Sequence, residues 1–339
     1  MNSTTFSLSS LSQVAGLAKG LPSADADAIK EARARQDDLT KPQGSLGRLE
    51  ELAVFLAGWQ GRDRPAIDLA QAVVFAGNHG VCAQGVNPFP QEVTVQMVAN
   101  FQAGGAAINQ LCAANQAELS VVALDLDTPT ADITQAPAMS AQECLEAMNR
   151  GAQAVNPQAD ILLLGEMGIG NSTIAAALAC ASCGGEAVDW IGPGTGSDAA
   201  GMAHKASVVD AALALHPSRD GMDILANLGG REQAAICGAV LAARSYGIAV
   251  ILDGFICTAA VAPLHVVDPA LLDHCLVGHQ SAEPGHKRLL AALNKTPIVE
   301  FDMRLGEGSG AALALGILRS ALACHNGMST FSEAGVSEA

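Results

Sequence analysis

The 339-residue sequence carries a formal net charge of −16 and only 3% aromatic residues. That balance excludes a nucleic-acid or anionic-membrane surface and argues against stacking platforms for bases, so any phosphate must be held by local groups. Half of the residues are hydrophobic, yet the long charge-free run Met167–Gly185 is broken by glycines, Asn171, Ser172 and Thr173, so it does not read as a membrane span. The first residues, MNSTTFSLSS, lack the basic start and apolar core of a signal peptide. Nine cysteines scattered through apolar patterns fit reduced thiols in a cytoplasmic protein. Cys180 and Cys183 form a lone CxxC that reads as packing, and His274–Cys275 has no further ligand at metal-binding spacing, so no metal and no cofactor is expected.

Residues 1–70 read as helical and polar, with one helix over Asp25–Arg35 and a second over Leu46–Trp59, where Leu46, Leu49, Leu52, Ala53 and Leu56 recur at helical spacing. From Gln71 the pattern becomes alternating strand and helix. Strands are predicted at 72–76, 120–124, 160–164, 188–191, 247–252 and 297–301, most of them continuous apolar runs of the kind that parallel strands covered on both faces require. Helices are predicted between them at 92–112, 141–154, 172–183, 199–216, 231–245 and 310–324. The expectation is an α/β fold with an open, doubly wound, mostly parallel sheet. No fixed-period repeat is visible.

Ligands of such sheets bind beyond the carboxyl ends of the strands. Five segments at that edge combine glycine with a polar or ionisable residue: Gly77-Asn78-His79-Gly80, Gly165 to Thr173 (GEMGIGNST), Gly192 to Gly196 (GPGTG), Asp253-Gly254, and Met303–Gly310 (MRLGEGSG). One such loop is weak evidence, whereas five together describe an active-site rim. The last sets Glu307 between Gly306 and Gly308 at a strand-to-helix turn; the bland reading is a solvated glutamate capping the helix, the sharper one a working carboxylate. Glu166 is the second rim glutamate, and paired acids suit glycosyl transfer, one taking a proton while the other steadies charge.

The 165–173 loop opens a helix, so its N–H groups with Asn171, Ser172 and Thr173 could cradle a phosphate, and Gly168, Gly170 and Asn171 are candidate substrate-binding residues. It is neither a Walker loop nor GxGxxG, which argues against ATP chemistry and against a dehydrogenase. Lys205 reads on spacing alone as a surface lysine, with a phosphate partner as the alternative. His79 is a candidate site-lining residue or a structural histidine, and His279 and Ser281 in GHQSAEPG carry the same two readings.

With these segments assembled, the chain resembles the nicotinate-nucleotide–dimethylbenzimidazole phosphoribosyltransferases, enzymes of cobalamin lower-ligand assembly. The resemblance rests on LTKPQGSLGRLEELA, VFAGNHGV, PQEVTVQMVANFQAGGAAI, LLGEMGIGNSTIAAAL, LGGREQAAICG, ILDGF and MRLGEGSGAALA, spread over nearly the whole chain, the last being the most specific. It implies a homodimer with a Rossmann-like sheet and a smaller helical domain from both chain ends: 1–70 and 311–339 around a catalytic domain at 71–310. It also implies that Glu307 is the proton acceptor, that Glu166 supports it in the same site, that Lys205 contacts substrate phosphate, and that Ser281 lines the nucleotide site. Pro193 stands where arginine is the family's usual residue, and Phe89 lies in a variable segment facing the acceptor base.

The implied reaction transfers the phosphoribosyl group of nicotinate mononucleotide to 5,6-dimethylbenzimidazole with inversion at C1′, giving α-ribazole 5′-phosphate and nicotinate. Alternatives are the same transfer to a purine or phenol, and a non-catalytic nucleotide-binding module.

Overall fold

The computed structural model describes residues 6–194 and 196–337; Thr195 of the GPGTG segment and the extreme chain ends lie outside it. The apolar runs form six strands, β1 Ala70–Ala76, β2 Ala117–Ala123, β3 Ile161–Met167, β4 Ala249–Leu252, β5 Cys275–His279 and β6 Pro297–Val299. They lie side by side in the order β2-β1-β3-β4-β5-β6, and every pairing is parallel.

Successive side chains of a strand point to opposite faces, so a strand covered on both faces must be apolar throughout. Val73, Phe75, Leu162, Leu164, Val250 and Leu252 enter one core, packed with the helices Ala141–Gln153, Asn171–Cys183, Arg231–Ser245 and Phe255–Val267. Their neighbours Ala72, Val74, Ile161, Leu163, Ala249 and Ile251 enter the other, under Arg48–Gln60, Ala107–Asn115 and Ser309–Gly327. The result is an α/β, doubly wound sheet. From β1 the chain crosses to β2 on one side and then returns to β3 on the other. The connections therefore diverge between β1 and β3, which opens a crevice at the carboxyl ends of these strands.

The two chain ends meet on one face. Arg35 Nε donates to the His325 carbonyl at 2.8 Å, Gln36 Nε2 faces His325 Nδ1 at 2.8 Å, and Leu39 bridges to Thr330.

Several sequence expectations change. The segment predicted as a strand at 188–191 is a short 3-10 turn, Ala187–Asp189: Asp189 folds back to accept the Glu186 N–H, and buried Trp190 donates to the Gly184 carbonyl. The strand that sequence reasoning missed is β5, where Gly278 and His279 interrupt the apolar run although all five residues are buried. The single helix expected over 92–112 divides at Gly104-Gly105 into Glu92–Gln102 and Ala107–Asn115. Strand β3 also runs on through Met167, so Glu166 stands on the sheet rather than on a loop.

Candidate active site

The cleft over the carboxyl ends of β1, β3, β4 and β5 has three parts. Its floor is a cluster of carboxylates. Glu307 occupies a left-handed backbone conformation, φ 65°, between Gly306 at φ 82° and Gly308 at φ 86°. A non-glycine residue there costs about 1–3 kcal/mol and persists only where its surroundings hold it. Asp253, at the end of β4, supplies that hold: its Oδ2 accepts the Gly308 N–H at 3.1 Å and its Oδ1 the Ala311 N–H at 2.9 Å. A carboxylate at the N-terminus of helix Ser309–Gly327 also complements the helix dipole. His279 Nε2 lies 3.9 Å from Asp253 Oδ1.

From the β3 side the turn rests directly on the sheet. A Cβ at Gly165 would fall 2.5 Å from the Glu307 carbonyl oxygen, and one at Gly306 would fall 2.5 Å from Glu166 Oε1; only glycine admits this approach. Glu166 is buried, and its Oε2 accepts a hydrogen bond from Asn171 Nδ2.

The acids perturb one another. Loss of water raises the Glu166 carboxyl to about 8, with Asp253 and Glu232 adding to the effect, and raises Glu307 to about 7 with help from Asp253. Burial raises Asp253 as well, opposed by His279 and by the backbone N–H groups it accepts.

The second part is a polar end. Lys205, expected as a surface residue on spacing alone, is buried at 2% exposure and lines the cleft, with Nζ 3.5 Å from Ser172 Oγ. Its burial lowers the amine's pKa, and Glu283 opposes the shift. Gly194 lies above this pair, its N–H donating to Glu283 Oε1 at 2.9 Å and its carbonyl accepting from Arg304 Nη1 at 2.8 Å. Ser281 lines the same end, where its Oγ accepts the Glu283 N–H at 3.2 Å.

The third part is an apolar wall of Phe89, Val93, Met97, Ile169, Phe255 and Leu305. Phe89 is 47% exposed and Leu305 57%, which places them at the mouth.

Glu307, Glu166, Gly168, Gly170, Asn171, Lys205, Ser281, Gly306 and Phe89 therefore share one cleft. Two expected contributions differ. Asn171 does not offer its amide to an anion, because Nδ2 is engaged by Glu166, and the Asn171 and Thr173 N–H groups close turns onto Gly168 and Gly170. His79 lies beneath the cleft and is not among its lining residues: it is fully buried, with Nε2 2.7 Å from Glu232 Oε1, behind Gly168. Sequence reasoning named Asp253 only as a rim residue and overlooked Glu283 and Arg304. Their signal was position alone, Glu283 just past β5 and Arg304 inside the Glu307 turn. Among the described residues no group of His, Cys, Asp and Glu is arranged to hold a metal.

Buried acids gathered around a strained turn, facing both an apolar wall and a lysine-lined end, mark the site of an α/β enzyme that acts on small molecules. A family model described as phosphoribosyltransferase matches residues 21–336. The nicotinate-nucleotide–dimethylbenzimidazole phosphoribosyltransferase of Rhodobacter capsulatus is 62% identical over 329 residues, covering 97% of this chain and 98% of its own. The protein of that name from Ruegeria pomeroyi is 58% identical over 331 residues, covering 98% of each. The crystal structure of the Thermus thermophilus protein of the same name superposes with a TM-score of 0.86 at 39% identity, over 93% of this chain and all of that one. The chain belongs to the nicotinate-nucleotide–dimethylbenzimidazole phosphoribosyltransferase family.

Proposed function

We propose that the enzyme transfers the 5-phosphoribosyl group of nicotinate mononucleotide to 5,6-dimethylbenzimidazole, inverting at C1′, to give α-ribazole 5′-phosphate and nicotinate for cobalamin nucleotide-loop assembly. Family membership at 62% identity supports the reaction, and the placement of Glu307 is the observation that carries the mechanism. The pyridinium of the ribotide is already a good leaving group, so the protein's task is to orient the partners and remove one proton. As one benzimidazole nitrogen attacks C1′, the other N–H becomes acidic and Glu307 accepts its proton. A carboxyl raised to about 7 is matched to general-base work near neutral pH, a contribution of about 10²–10⁴ in rate.

Glu166, raised to about 8, is mostly protonated at neutral pH. It therefore supports the Glu307 turn without adding a further full charge beside Glu307 and Asp253. Phe89, Val93 and Met97 receive the base, while Lys205, Ser172 and Ser281 hold the phosphate. Fixing both ends turns the encounter into a reaction of oriented neighbours. Gly168, Gly170 and Gly306 serve by letting backbone approach closely.

The same reading takes the protein as a cytoplasmic homodimer whose chain ends, 1–70 and 311–339, form a smaller helical unit. The Arg35 and Gln36 contacts to His325 support the last point, and no helix among the described residues is long and apolar enough to cross a membrane. Light scattering of the purified protein tests the dimer. Incubating the protein with nicotinate mononucleotide and a panel of bases tests the reaction, with products identified by mass and anomeric configuration. The expected result is nicotinate release with an α-linked product and preference for dimethylbenzimidazole; binding of the ribotide without nicotinate release on adding any base would overturn it.

A further inference from the structure

The polar end of the cleft holds an acidic group of its own. Glu283 is 7% exposed; burial raises its carboxyl's pKa, opposed by the Gly194 N–H that it accepts at 2.9 Å and by Lys205 and Arg304, which favour the charged form. The fit is specific: a Cβ at Gly192 would fall 1.9 Å from Glu283 Oε2, and the Glu283 N–H is fixed on Ser281 Oγ at 3.2 Å. Gly194 in turn lies directly over the cations' end, since a Cβ there would fall 2.9 Å from Ser172 Oγ and 3.1 Å from Lys205 Nζ. A glycine-loop N–H beside a lysine and a serine hydroxyl is the ordinary set of donors for a phosphate. Here the N–H already serves a carboxylate, and the charge of that carboxylate acts on the buried lysine, favouring its protonated form.

We infer that Glu283 is a resident anion that occupies the phosphate cradle before substrate arrives, and that the ribotide's phosphate takes over Lys205 and the Gly194 N–H by displacing it. The inference rests on the assignment of the phosphate end made above. A phosphate dianion and a buried carboxylate cannot share these cations without strong repulsion at low effective dielectric. In the free enzyme Glu283 stabilises the charge of buried Lys205 and tethers the Gly194 backbone, with Arg304 holding the Gly194 carbonyl from the other side. Displacement must be offset by the incoming group, so a dianion qualifies and an uncharged 5′-hydroxyl does not. Glu283 is thus a specificity-determining residue, one that favours phosphorylated ribotides over the corresponding ribosides.

Calorimetric titration of the full-length protein with inorganic phosphate tests this without depending on turnover. Glu283→Gln, which keeps an acceptor for Gly194 but no charge, should bind phosphate at least about tenfold more tightly than wild type, and Glu283→Ala should tighten in the same direction. Phosphate affinity unchanged or weaker in both variants, with wild-type circular dichroism and melting, would overturn the inference. A crystal structure of the wild-type protein with phosphate bound gives a readout free of mutation. Glu283 Oε1 should have left the Gly194 N–H, and persistence of that hydrogen bond beside bound phosphate would contradict displacement. Lys205→Gln separates the two levels. If it weakens phosphate binding while the Glu283 variants change nothing, only the displacement idea falls; if it has no effect, the phosphate end itself is misassigned and both fall.

Discussion

Asp253→Asn perturbs the hold on Glu307 with little change of shape. Asp253 accepts two backbone N–H groups, from Gly308 at 3.1 Å and Ala311 at 2.9 Å. An asparagine keeps one oxygen and turns an NH₂ toward the other donor. One charge-assisted hydrogen bond, worth about 1.5–3 kcal/mol, is lost and a donor–donor contact replaces it. That loss is comparable to the roughly 1–3 kcal/mol that the left-handed backbone of Glu307 costs, so the turn relaxes. Displacing a reacting group by about 1 Å costs on the order of 10² in rate.

The substitution also removes the charge that helps raise Glu307, so the acidic limb of the pH–rate profile moves to lower pH. The assay is chromatographic nicotinate release from nicotinate mononucleotide and dimethylbenzimidazole across the neutral range. The expected result is kcat lower by about 10², KM for the ribotide little changed because its phosphate end lies on other loops, and a midpoint displaced toward acid. Turnover within about threefold of wild type with the midpoint in place would refute the reasoning, since both effects follow from the same two hydrogen bonds.

Three further outcomes follow from the geometry. Gly165→Ala places a Cβ 2.5 Å from the Glu307 carbonyl and should lower kcat while leaving the fold intact by circular dichroism, because β3 must move away from the turn. Lys205→Gln should raise KM for the ribotide by about tenfold or more and change kcat much less, as measured by initial rates, because the proposed contact is to a phosphate remote from C1′. Stability should fall as pH rises. The folded-state values of Glu166 and Glu307, about 8 and 7, lie above their ordinary range, so the folded protein holds protons that the unfolded chain has released, and this stabilisation is lost as pH climbs through 7–8. Glu166→Gln should therefore melt higher than wild type above about pH 8, by a few degrees in scanning calorimetry. No gain there would show that the Glu166 carboxyl is not held neutral by its burial.

How much of this was legible in the sequence depends on which interactions are local. The parallel sheet was readable because continuous apolar runs such as AVVFA and DILLL follow from burial on two faces, and the same holds for the glycine-flanked Glu307 turn. Strand β5 was not, since Gly278 and His279 look polar and short until helix Ser309–Gly327 is laid across them. The turn at 187–189 mimicked a strand because Val188 and Trp190 are apolar, while the Asp189 and Trp190 hydrogen bonds that curl it are invisible in composition.

The site shows the same division. Glu166 and Glu307 stood out by residue type beside glycines, and Lys205 only through the family resemblance. Their regulators, Asp253, Glu283 and Arg304, act through backbone atoms 55, 89 and 110 positions away. His79 kept two readings for the converse reason: a histidine between glycines at a strand end faces inward to Glu232, a partner far along the chain that no local pattern announces.

The central claim, that Glu307 takes the azole proton, is tested most directly by the single-turnover rate of transfer as a function of pH in wild type and in Glu307→Gln. The wild-type rate should rise through pH about 7, and the variant should be slower by about 10²–10⁴ with that limb abolished. A limb that persists at the same pH in Glu307→Gln would assign the proton to another group and contradict the mechanism.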